Sequence, residues 1–73
     1  MNMVEALEHI APVLTAEINE NVKTMSNERI NQLINLYLQM LEEESDGIDK
    51  MVIEFKAREY AVRLLRRQNV HEA

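Results

Sequence analysis

Apolar residues recur along this chain at helical spacing. Leu7, Ala11, Leu14, Ile18, Val22 and Met25 follow one another at intervals of three or four, which draws a single stripe down a helix. Asn2 stands where an N-cap is needed, and Glu5 three residues later completes a capping-box pattern. This predicts a first helix over 3–23, kinked near Pro12, because proline lacks an N–H and crowds the carbonyl four residues back.

The cleanest pattern follows. Ile30, Leu33, Ile34, Tyr37, Leu38 and Leu41 occupy i, i+3, i+4, i+7, i+8 and i+11, and Ser26 with Glu28 makes a favourable start. A second helix is expected over 27–44. Gly47, after the acidic run Glu42 to Asp46, is read as the left-handed residue that closes it. Asp49 is read as the cap of a third helix over 50–69, with Ile48 and Ile53 in hydrophobic-staple positions around that cap. So short a loop implies that helices two and three form an antiparallel hairpin.

The third helix differs from the others in carrying two apolar faces. At about 100° per residue, Met51, Val52, Phe55, Val62 and Leu65 fall on one side and Ile53, Ala57, Tyr60, Ala61 and Leu64 on the other. Two faces call for two neighbours. They are either the remaining two helices of a compact monomer or one helix and a second molecule. The expected self-association or partner surface is therefore Met51, Phe55, Val62 and Leu65, or else the Ile53, Tyr60 and Leu64 side.

Composition sharpens this picture. One glycine and one proline in 73 residues leave too little punctuation for a set of short strands. The fold class is all-α: a single domain over 1–73 forming a small three-helix bundle. No cysteine is present, so neither disulfides nor thiolate metal sites can staple so small a core. Tight packing or a homo-oligomer must take their place.

The charge is uneven along the chain. Residues 1–49 hold ten acidic and two basic side chains, net −8, and residues 50–73 hold three acidic and six basic, net +3, which together give the overall −5. An acidic protein is not a general coat for nucleic acid. Lys56, Arg63 and Arg67 nevertheless line one narrow face of helix three, with Arg66 beside them. That row suits phosphate or an acidic partner. It equally suits surface pairing, since Glu59 with Arg63 and Glu54 with Arg58 stand at i and i+4 in the favourable order. Arg66 and Arg67 also sit where a helix dipole favours cations.

No catalytic constellation is found. His9 and His71 lie far apart in sequence and in no two-histidine helix motif. The acidic loop lacks calcium-loop spacing, and Lys50 is expected to offset part of its charge. There is no glycine-rich phosphate loop and no serine with an evident base. Neither a basic n-region with an apolar run nor a spanning segment opens or crosses the chain.

The sequence thus points to a non-enzymatic cytoplasmic protein without cofactor, metal, membrane association or small-molecule substrate. It is expected to act by helix-mediated binding to itself and to another protein. A small dimeric nucleic-acid-binding regulator using the basic row is the alternative, and a subunit of a larger assembly is a third reading.

Overall fold

A computed structural model describes residues 2–72, without the side chains of residues 70–72. Among the described residues every regular element is a helix: α1 spans Met3–Val22, α2 Asn27–Glu43 and α3 Ile48–Glu72. Both α1 and α2 pack on α3 and only weakly on one another. The turn Glu44 to Gly47 between α2 and α3 is short and the two helices pack closely, which requires them to run antiparallel. The molecule is elongated, 43 × 25 × 20 Å.

The starts of α1 and α2 follow from their capping residues. Asn2 Oδ1 accepts from the Glu5 N–H at 2.9 Å, and Ser26 Oγ accepts from the Arg29 N–H at 3.1 Å, each satisfying a donor that no helical carbonyl can reach. α1 runs through Pro12 as one helix. Its end tightens into i to i+3 bonds, from Lys23, Thr24 and Met25 N–H to the Glu20, Asn21 and Val22 carbonyls.

The junction between α2 and α3 departs from the sequence expectation in two respects. Gly47 has no positive φ, so it does not close α2 in the left-handed conformation. α2 ends instead at Glu44 in extended backbone, whose N–H bonds the Met40 carbonyl. Asp49 is also not the cap of α3. The Gly47 carbonyl accepts from the Met51 N–H at 3.2 Å, so the helix begins at Ile48 and Asp49 lies in its first turn. A carboxylate there still favours the positive end of the helix dipole.

The core is small. Ile18 of α1, Ile30 of α2 and Tyr60 of α3 are its buried centre, and Val22, Met25, Leu33, Ile34, Tyr37, Phe55 and Leu64 pack against them. Ile53 and Ala57 are buried along the same helix as Tyr60. Fully burying an isoleucine such as Ile18 or Ile30 contributes about 1.5 to 3 kcal/mol. Tyr37 and Tyr60 stack, with ring centroids 6.1 Å apart and planes inclined by 22°. The Tyr60 hydroxyl is not left unpaired, because Asn21 Nδ2 donates to it at 3.2 Å, as a buried phenol requires.

Candidate interaction surfaces

α3 lies between the other two helices, and that position accounts for most of its two-faced pattern. Ile53, Ala57 and Tyr60 are buried, and Leu64 packs against the core. The surface offered by the Ile53, Tyr60 and Leu64 side is therefore taken up within the chain. On the other side Phe55 also packs against the core, while Met51 and Val62 are half-buried. Leu65 is 58% exposed. Of the seven apolar positions singled out on α3, Leu65 alone is mostly open to solvent.

The basic row divides in the same way. Arg63 Nε donates to Asn19 Oδ1 at 2.9 Å, and its Nη1 donates to the Glu59 carbonyl at 3.0 Å and to Glu59 Oε1 at 2.8 Å. The Glu59 and Arg63 side chains are only 26% and 12% exposed. This pair is more than a loose surface contact, and it holds the guanidinium whose bond to Asn19 ties α1 to α3. Arg67 reaches farther. Its guanidinium donates to the carbonyls of Val22 and Met25, the latter at 2.7 Å, and to Asn27 Oδ1 at 3.1 Å.

Those carbonyls lie at the end of α1 and in the turn into α2, where regular i to i+4 bonding has stopped, and the Val22 carbonyl also accepts from the Met25 N–H at 3.3 Å. A planar fork with five donors can serve both at once. Arg67 thus clamps the α1–α2 turn onto α3. Periodicity placed Arg63 and Arg67 on one face but could not show what that face meets. Lys56, half-buried, and Arg66, exposed, make no such contact. Glu54 and Arg58 form no ion pair, in contrast to Glu59 and Arg63. Lys50 Nζ lies 3.2 Å from Asp46 Oδ1, at the end of the acidic run.

The exposed apolar surface lies mainly on α1 and α2. On α1, Val13 is 68% exposed, and Met3, Val4 and Ile10 are also open. On α2, Leu36, Leu38 and Met40 are exposed. An open groove between α2 and α3 is lined by Ile34, Leu38, Leu41, Ala57 and Ala61, with Glu54 and Arg58 at its rim. Leu38 belongs to the stripe expected to face inward yet is 50% exposed, while Leu36 and Met40 flank that stripe.

The titration of the Tyr37 phenol is displaced. Burial foremost, then the fields of Tyr60 and Glu17, raise its pKa above the usual 10.0. Among the described residues no group of three or more His, Asp or Glu side chains comes together in a way that could hold a metal ion. No described helix is long and apolar enough to cross a membrane. Comparison with family models, with curated proteins and with solved structures gives no match to this chain.

Proposed function

We propose that this chain is a non-enzymatic interaction protein of the cytoplasm that self-associates and presents a helical face to a protein partner. The observation that carries this reading is the imbalance between core and surface. Among the described residues five hydrophobic ones are buried, while eight large ones, spread over all three helices, are at least 36% exposed. Scattered exposed side chains are ordinary in a soluble protein. Aligned ones on a core this small favour an association that covers them.

On α3, Leu65 with the half-buried Met51 and Val62 beside it is the part of the two-faced pattern that the chain's own helices cover least. It suits helix-in-groove docking to a partner. The same reading includes a bend of α1 at Pro12, since proline offers no N–H to the Glu8 carbonyl.

Contact with nucleic acid is less well supported. Two of its four basic side chains, Arg63 and Arg67, already hold α1 and the α1–α2 turn. Light scattering on the eluting protein at micromolar concentration tests the proposal. A mass of at least twice the 8.6 kDa chain is expected, and a single 8.6 kDa species across that range would remove self-association from it. Anisotropy with labelled duplex at low salt is expected to show no strongly salt-dependent binding. A steep fall in affinity with salt would restore the nucleic-acid alternative.

A further inference from the structure

We infer that the self-association surface is α1, paired antiparallel with α1 of a second copy about a two-fold axis that passes between Ala6 and Ile10. This rests on the reading that the chain self-associates and assigns the surface that does it. Besides the inward stripe, α1 carries a second one. Met3, Ala6, Ile10 and Val13 recur at intervals of three, four and three, about 100° round the helix from Leu7, Ala11, Leu14 and Ile18. Met3, Ile10 and Val13 are 49%, 36% and 68% exposed. Between Met3 and Val13 the stripe holds no charged residue, and the same face continues into Glu17 and Glu20.

The occupant follows from the order of the spacings, which reads the same in both directions. A two-fold axis sets Met3 of one copy against Val13 of the other, and Ala6 against Ile10, so every side chain of the stripe meets a counterpart from the same stripe. Such self-complementarity is what an isologous contact requires. A parallel arrangement would instead align like ends of the two helix dipoles. In the antiparallel pair Glu17, one helical step beyond Val13, comes to lie beyond Met3 of the partner, at the positive end of its helix.

Area and position agree with this assignment. A folded chain of 8.6 kDa is expected to expose about 4,700 Å², and this one exposes 5317 Å². The surplus, about 600 Å², is close to the 600 to 1,000 Å² that each partner buries in a stable interface. The contact need not end with α1. Leu36 and Met40 of α2 are exposed as well.

Cysteine pairing tests the geometry directly, because the chain has no cysteine of its own. In the antiparallel pair, residue 3 of one copy faces residue 13 of the other, while the two copies of residue 3 stand about 15 Å apart along the axis. That is too far for a disulfide. Mixing the full-length Met3→Cys and Val13→Cys proteins under mild oxidation is expected to give mainly the mixed cross-linked dimer. Efficient cross-linking of each variant with itself would overturn the antiparallel pairing.

A second pair of variants separates this surface from self-association as such. Ile10→Glu acts twice across the two-fold and is expected to weaken the dimer by about a hundredfold or more. Leu65→Glu on α3 should leave the dimer intact, and circular dichroism should show that both variants stay helical. Loss of the dimer with Leu65→Glu and its survival with Ile10→Glu would overturn the α1 assignment while keeping self-association. A monomeric wild-type chain would overturn both.

Discussion

Arg67 shows how one side chain can fix the relation of three helices. It lies on α3, accepts nothing, and donates to the end of α1 and the start of α2. Hydrogen bonds to a charged group contribute about 1.5 to 3 kcal/mol. Arg67→Ala should therefore lower stability by about 2 kcal/mol in urea unfolding. Arg67→Lys should recover only part of that, because an ammonium is a point charge and not a fork. Full recovery by lysine, or a loss below about 0.5 kcal/mol for alanine, would show that the clamp does not hold the turn.

Tyr37 gives a second test at the same scale. Its raised pKa means that the folded chain keeps a proton which the unfolded chain releases as pH climbs past about 10. The associated stability is therefore fully present below the unfolded value and is lost as pH rises through the folded one. Tyr37→Phe cannot ionise, so its stability relative to wild type should improve between about pH 9 and pH 11. A difference that stays constant over that range would contradict the displaced titration.

At the scale of elements, the α2–α3 junction offers a substitution whose sign depends on backbone conformation. Gly47 lies outside the left-handed region, and a Cβ there would meet nothing within 4 Å. Gly47→Ala should therefore stabilise the protein by about 0.5 kcal/mol, through the freedom removed from the unfolded chain. Thermal unfolding decides the sign. Destabilisation would mean that glycine is worth more as the residue preceding α3, whose carbonyl accepts from the Met51 N–H, than the freedom it costs.

The helices themselves were legible because each keeps a core stripe. The inward residues of α1, from Leu7 to Met25, and those of α2, from Ile30 to Leu41, are buried or half-buried apart from Leu38. Asn2 and Ser26 cap as their type and position imply. The Glu59–Arg63 pair was legible too, since it needs only one helix. Legibility failed where distant segments meet. The Arg67 bonds to Val22 and Met25 join residues more than forty positions apart, and the Asn21–Tyr60 bond joins residues 39 apart. Spacing fixes the face of a helix on which a residue lies and leaves open what that face meets. The two stripes of α3 illustrate the same limit, since burial between α1 and α2 accounts for Ile53, Tyr60 and Leu64 and leaves Leu65 in solvent.

On the scale of the whole molecule, a long central helix carries two shorter ones that scarcely touch each other. The outer side of α1 is thereby left bare over Met3, Ile10 and Val13. Covering it with a second copy couples folding to assembly, so the folded state is favoured by mass action. The most direct test is the melting temperature followed by circular dichroism over a hundredfold range of protein concentration. Self-association through the folded state requires Tm to rise steadily with concentration, and the rise should vanish in Ile10→Glu. A Tm independent of concentration, in wild type and variant alike, would contradict it.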